Sequence, residues 1–344
     1  MNSVISLLHG IPLTVRTTRP YKTEVDRFGF TGILKHLTGY HLPNRAYCNW
    51  MHGWHFFHRN SDIHDVGYGS ATLYEKTLPT VTYNTSLSIL LNSHGFKNVF
   101  LGPLPFALLH EYRAQFFSSD ALKIFSDKPV KYLLMPGKIS CSDISDPDSP
   151  IIDATPTILF LQEALDSVRN SNDLLICLYN KDIHIPVIKD FLNKYRLNCI
   201  EGASPGSHSA LLRIYAALSS AQIVYSNTIG SCLPYAGLVG ASVGISGPSF
   251  TSSLPVHSSS TYNIYNWHQY DNIRYVLQHY PHLLKDSIDA CQPCSEWARL
   301  ELGSHYPLSA SSIKSIAGWS SYQILPSLGR NILHRAFSRF SVNA

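Results

Sequence analysis

Residues 209–245 read SALLRIYAALSSAQIVYSNTIGSCLPYAGLVGASVGI, and this stretch decides the fold. A helical pattern over 209–218 gives way to a short apolar run at 222–225. The helical pattern resumes over 230–239 and ends in a second apolar run at 241–245. Short apolar runs alternating with amphipathic segments build a parallel sheet with helices on both faces. The same alternation extends upstream. Residues 185–195 and 157–168 have helical periodicity, and 174–179 reads as a buried strand. Cys199 and Ile200 begin a further unit, and the apolar run 132–135 ends at Pro136-Gly137, a strand followed by a loop. Residues 130–250 are therefore expected to form a Rossmann-like domain.

Outward from this core the pattern weakens. Residues 1–125 show one fainter repeat, a helix over 85–91 and a strand over 98–101, and Ser126-Asp127-Lys128-Pro129 reads as a linker. Residues 260–344 read as helical. The expected organisation is an N-terminal α/β domain over 1–125, a second Rossmann-like domain over 130–260 and a helical segment over 261–344 that packs back on the first domain.

Of the 344 residues, 44% are hydrophobic and 15% charged, enough apolar content for a sizeable core and too little charge for a disordered chain. A net charge of +4 is too weak to argue a nucleic-acid partner. No run approaches the roughly 18 apolar residues of a membrane span. The start of the chain lacks the basic residues of a signal peptide. The 7 cysteines are odd in number and scattered, which suits a reducing compartment better than a disulfide framework. A soluble cytoplasmic protein is expected.

Ligands of open α/β sheets bind beyond the carboxyl ends of the strands, so residues just after strands are the candidates for a site. The run Ser226-Asn227-Thr228-Ile229-Gly230-Ser231 leads from an apolar strand into a helix. A helix start offers free backbone N–H groups and partial positive charge, and hydroxyls add donors, so phosphate binding is one reading and plain helix capping the other. A second constellation is Trp50-Met51-His52-Gly53-Trp54. His52 stands at an expected exposed turn, and an imidazole titrating near about 6.5 suits general acid–base work. His52, His55 and His58 recur every third residue, but no cysteine cluster joins them and aromatics surround them, so packing is preferred to a metal site. Neither metal nor cofactor is expected. A third feature, Gly102-Pro103, turns the chain after a strand and is expected to line the cleft.

Two motifs are weaker than they look. Gly202-Ala203-Ser204-Pro205-Gly206 fits a serine-hydrolase elbow, but Pro205 has no N–H to give an oxyanion. Cys291-Gln292-Pro293-Cys294 has no second pair to complete a zinc site and falls in a region read as helical.

The order His-Gly, then Gly-x-Pro, then a second α/β unit with a Ser/Thr-rich strand-to-helix turn resembles GT-B glycosyltransferases. The likeness is to bacterial enzymes of surface polysaccharide assembly, such as capsule or lipopolysaccharide, and to the group with polysialyltransferases and CDP-glycerol glycerophosphotransferases. It rests on 51–54, 94–106, 133–138 and 226–240. The resemblance implies two Rossmann-like domains facing a cleft, and transfer of a sugar from a nucleotide donor to a glycan or lipid-linked acceptor. It implies His52 as general base, and Ser226, Asn227, Thr228, Gly230 and Ser231 on the donor phosphate. Glu201, Gly202, Pro136 and Lys138 would meet the nucleotide, with Gly53, Gly102 and Pro103 lining the cleft. Lys138 departs from the polar or His residue expected in that loop. The alternatives are a non-catalytic nucleotide-sugar or phosphate-binding protein, and a serine hydrolase using Ser204.

Over 328–340, Ile332, Leu333, Ala336, Phe337 and Phe340 share one helical face, and Arg330, His334, Arg335 and Arg339 crowd the other. Such a helix suits the anionic inner face of a cell membrane, or it docks its apolar stripe on the protein.

Overall fold

A computed structural model describes residues 1–11, 24–42, 46–51, 53–54, 76–137, 154–180, 182–202, 206–246 and 278–320. Among them the strands are β1 (Asn49–Trp50), β2 (Thr80–Thr82), β3 (Val99–Leu101), β4 (Val130–Leu134), β5 (Leu174–Leu178), β6 (Asn198–Glu201), β7 (Ala221–Ser226), β8 (Ser242–Ile245) and β9 (Gln292–Pro293). The first helices are α1 (Asn2–Gly10), α2 (Phe30–Thr38), α3 (Thr85–Ser93), α4 (Pro105–Glu111) and α5 (Ser119–Asp127). Then follow α6 (Thr155–Ser167), α7 (Pro186–Lys194), α8 (Ala210–Ser219), α9 (Cys232–Leu238), α10 (Ser295–Glu301) and α11 (Ala310–Ile316).

The chain is a mixed α/β protein with two parallel sheets. The smaller runs β1-β2-β3, and the larger runs β6-β5-β4-β7-β8-β9. Every pairing is parallel except that β9 runs antiparallel to β8. In the larger sheet the chain steps from β4 through β5 to β6 on one side, then returns to β7 on the other side of β4. The order therefore reverses between β4 and β7.

Strand pleating explains how that sheet is covered, because successive side chains point to opposite faces. Tyr132, Leu134, Leu174, Ile176 and Leu178 pack with Phe160 and Leu161 of α6 and Ile188 of α7. Leu133, Leu175, Cys177, Val224 and Val243 face the other way. There they join a second cluster that runs from Val4 and Leu8 of α1, through Trp50, Val81 and Phe106, to Tyr215, Tyr235 and Trp319. One continuous apolar core thus reaches from the larger sheet into the smaller one.

Helix ends follow their local chemistry. Asn84 accepts from Leu87 N–H at 2.7 Å to cap α3, and Ser118 accepts from Ala121 N–H at 3.3 Å to cap α5. The expected linker at 126–129 is instead the close of α5. That helix runs to Asp127, Lys128 caps it in the left-handed region at φ 42°, and β4 begins at Val130. The Lys128 ammonium bonds the carbonyls of Val239, at 3.2 Å, and Gly240, at the negative end of α9.

The last part of the chain is not purely helical. Gln292–Pro293 adds an edge strand to the larger sheet, and its proline sits where a missing N–H costs no interior ladder bond. Helix α10 packs on α9, and α11 packs on α2. Tyr40 and Trp319 stack at 4.6 Å with planes 5° apart, and Tyr47 N–H donates to Ala317 O at 3.0 Å. Residues 310–319 are thus held against the first part of the chain. The amphipathic stretch 328–340 lies outside the described residues. Among the described residues no helix is long and apolar enough to cross a membrane.

Candidate functional site

The reversal between β4 and β7 is where an open parallel sheet leaves a crevice beyond its strand ends. Two segments leave the sheet there, Met135-Pro136-Gly137 after β4 and Asn227 to Ser231 after β7. They are stitched together. The Ser226 hydroxyl lies 2.7 Å from Met135 O and 2.9 Å from Thr228 O, and accepts from Thr228 N–H at 3.2 Å. Asn227 Oδ1 accepts from Gly137 N–H at 2.8 Å. Both side chains are buried, Ser226 at 0% and Asn227 at 1% exposure. The Ser226 hydroxyl and Asn227 Oδ1 are thus engaged between the two segments and hold the turn in shape.

What faces outward is the rest of the turn. Thr228, Gly230 and Ser231 are partly exposed. The Thr228 hydroxyl has a stretched 3.5 Å contact with Ile229 O. A Cβ built on Gly230 would meet none of the described residues within 4 Å. The expected helix start at Gly230 falls at Cys232, and the residue before it, Ser231, makes no side-chain cap bond.

Ser231 instead reaches the first part of the chain. Its hydroxyl accepts from Trp54 N–H at 3.0 Å and donates to Trp54 O at 3.2 Å. A Cβ on Gly53 would lie 3.1 Å from Ser231 Oγ, so the glycine permits this approach. The two constellations separated by 177 residues in sequence therefore meet. His52 itself lies outside the described residues. Its neighbours Met51, Gly53 and Trp54 are buried. Packing dictates this: the Trp54 ring lies against Trp297 at 6.0 Å and Tyr280 at 6.2 Å, and its Nε1 donates to Glu301 Oε2 at 2.8 Å.

Other sequence-derived residues are placed elsewhere. Glu201 and Gly202 leave β6, with β5 between them and β4. Gly202 N–H donates to Leu178 O at 2.6 Å, and a Cβ on it would lie 2.8 Å from the same oxygen. Gly102 and Pro103 do not line an opening. Both are buried: Leu104 N–H donates to Leu302 O at 2.9 Å, and a Cβ on Gly102 would lie 2.7 Å from Leu308. The Pro103 carbonyl accepts from Trp50 Nε1 at 3.0 Å. Lys138 and Ser204, like His55 and His58, lie outside the described residues. Among the described residues no group of three or more His, Cys, Asp or Glu side chains is arranged to hold a metal.

Sequence reasoning missed Glu301, Tyr280 and His110. His110 Nδ1 lies 3.0 Å from the Tyr215 hydroxyl, and burial, helped by Arg113 and Arg299, lowers its pKa to about 4. No local motif marks these residues, since their partners are remote in sequence. The Cys291 and Cys294 thiols are also packing groups. Burial pushes each up to about 12, and Cβ atoms on Gly244 and Gly237 would lie 2.5 Å and 2.8 Å from their sulfurs.

No protein-family model matches the chain, and no curated protein matches it. Among solved structures, one assigned as a UDP-N-acetylglucosamine 2-epimerase from Listeria monocytogenes is similar over 48% of this chain and 41% of its own, with 12% identity and a TM-score of 0.31. The similarity thus spans less than half of either chain, and at that level it assigns no activity.

Proposed function

We propose that the protein is a metal-independent glycosyltransferase that takes a sugar from a nucleotide-activated donor and passes it to a hydroxyl of a glycan or lipid-linked acceptor. The observation that supports this reading best is the turn at the point of strand reversal, partly exposed at Thr228, Gly230 and Ser231, with the Gly53-Trp54 segment bonded to it. Donor phosphates would lie over the Thr228 hydroxyl and the Gly230 backbone, bordered by Pro136. Ser226 and Asn227 would hold that turn in shape. His52, the residue before Gly53, would take the proton from the acceptor hydroxyl. Backbone and hydroxyl donors at the turn would stabilise charge growing on the leaving phosphate. Lys138 would oppose that charge. The carboxyl ends of β6, with Glu201 and Gly202, would meet the nucleoside. Residues 328–340 would bring the enzyme to the inner face of the membrane where a lipid-linked acceptor resides.

The test uses Gly230→Ala, whose new methyl meets none of the described residues within 4 Å. Thermal shifts with CMP, CDP, UDP and GDP identify the nucleotide, since a ligand of the native state raises its stability with concentration. Gly230→Ala and Thr228→Ala are then expected to weaken that nucleotide by about 1–3 kcal/mol. Unchanged affinity in both variants sinks the donor site. Nucleotide binding with full turnover in His52→Ala removes the base, and binding without any turnover in the wild type favours a non-catalytic binding protein.

A further inference from the structure

We propose that the first turn of α6 and the exit of β5 form a nucleotide subsite, in which Thr157 and the N-terminus of α6 take the phosphate next to the nucleoside and Asn180 takes a ribose hydroxyl. The inference deepens the reading of a nucleotide-activated donor and rests on it. Two orphaned atoms point there. Among the described residues, Thr157 Oγ1 and Asn180 Oδ1 are buried and have no hydrogen-bond partner. Thr157 is 0% exposed. A buried polar group left unpaired bears its full desolvation cost, so valine, of the same shape, would serve packing better there. Helix α6 also begins without a side-chain cap, because its N-cap residue is Ala154. Its first turn is the positive end of a helix of 13 residues. The Cα–Cβ bond of a helical residue tilts toward the N-terminus, so the Thr157 side chain leans toward that same end. A hydroxyl donor at a helix N-terminus suits an anion. The Asn180 amide, whichever way round it is set, suits a hydroxyl, which both donates and accepts.

The fold carries both atoms to the crevice. Residues 168–173 lead from the end of α6 directly to the start of β5, so α6 runs back along the sheet and its N-terminus stands at the carboxyl ends of the strands. Phe160 stacks on Tyr225 of β7 at 5.6 Å with planes 27° apart. Thr157 precedes Phe160 by about 4.5 Å along the helix axis, and so lies beyond Tyr225, toward the 226–231 turn. Asn180 follows β5, which is the neighbour of β4. Gly202, which leaves β6, donates its N–H to Leu178 O at the end of β5. The strands thus exit in the order β7, β4, β5, β6. A nucleoside diphosphate laid across these exits puts its outer phosphate on Thr228 and Gly230, its inner phosphate on Thr157, its ribose on Asn180 and its base toward Gly202. Three strand spacings come to roughly 14 Å, which an extended nucleoside diphosphate spans. The crevice at a strand reversal is where such a ligand lies in an open parallel sheet.

The experiment is titration calorimetry of the full chain with two probes, pyrophosphate and whichever of CMP, CDP, UDP and GDP gives the largest thermal shift. Thr157→Val is expected to weaken both probes by about 10- to 100-fold, the loss of a hydrogen bond to a charged group. The same variant without ligand is expected to melt no lower than the wild type, because a methyl replaces an unpaired hydroxyl. Thr157→Ser, which keeps the hydroxyl, is expected to hold both affinities within about threefold. Asn180→Leu is expected to weaken the nucleotide by about 10-fold and leave pyrophosphate unchanged, since pyrophosphate has no ribose. Thr157→Ala carries the same test if Thr157→Val does not fold. A Thr157→Val chain that melts lower than the wild type and binds both probes as tightly makes the hydroxyl a packing group and overturns the proposal. Unchanged nucleotide affinity in Asn180→Leu, or an equal loss of both probes, overturns the ribose contact. In each of these cases a nucleotide still weakened by Thr228→Ala leaves the functional reading standing. No shift with any of the four nucleotides removes both.

Discussion

Asn227 and Thr228 are neighbours in one turn and do opposite things. Asn227 Oδ1 satisfies the buried Gly137 N–H, so Asn227→Ala strands that donor and is expected to cost about 1–3 kcal/mol in urea unfolding. The Thr228 hydroxyl has only its 3.5 Å contact, so Thr228→Ala is expected to stay within about 0.5 kcal/mol of wild type. The sequence marked this turn because it follows an apolar strand. It could not separate the shaping side chains from the outward ones, because the partners that decide, Met135 O and Gly137 N–H, stand 91 and 90 residues upstream. His110 was invisible for the same reason, since Tyr215 and Arg299 are remote. Its effect on stability has a definite sign. With the imidazole lowered to about 4, the native state refuses a proton that the unfolded chain takes up below about 6.5. Stability is therefore full above that unfolded value, falls as pH drops through the window, and loses nothing further below about 4. Between pH of about 7.5 and 4.5, the wild type is expected to lose roughly 2 kcal/mol more than His110→Phe, a difference from which the constant cost of unpairing Tyr215 cancels.

At the scale of elements, legibility follows burial. The strands β4, β5, β7 and β8 are apolar runs that end at Gly, Pro or small polar residues, and all were readable. The strands β1 and β2 span Asn49–Trp50 and Thr80–Thr82, too short and polar to show a period. The edge strand β9, only Gln292–Pro293, was hidden by its proline and the cysteines that flank it. Helix α1 was equally opaque in its destination. It packs on α8 of the larger sheet, across some 205 residues, because Arg213 donates to Leu8 O and, at 2.9 Å, to Ile11 O. These carbonyls form the negative end of the helix, which suits a cation. Arg213 is 5% exposed, and burial lowers its pKa. Arg213→Met keeps apolar bulk and removes the donors. It is expected to cost about 1.5–3 kcal/mol and to speed amide exchange in Asn2–Gly10 before exchange in β4 or β7 changes.

The two sheets share one apolar cluster among the described residues. The described residues join across the boundary between the sheets by apolar contact. Phe106, just after the Gly102-Pro103 turn of the smaller sheet, stacks on Tyr235 of α9 at 4.0 Å with planes 3° apart, and it leans on Tyr215 of α8 at 5.4 Å. Its exposure is 0%. Helices α1, α10 and α11 add further crossings in both directions, so neither sheet can lose its packing without uncovering the other's. Two-state behaviour is the rule when one core unfolds as a unit, and separate transitions arise when domains keep their own cores. Thermal unfolding of the full chain, followed by both tryptophan fluorescence and far-ultraviolet circular dichroism, is therefore expected to show one coincident transition. Phe106→Ala is expected to destabilise that transition by about 3–5 kcal/mol without splitting it. Two resolved steps in the wild type, or a Phe106→Ala chain in which one signal melts early and the other stays in place, would show that each sheet stands alone and that the shared core is only an interface.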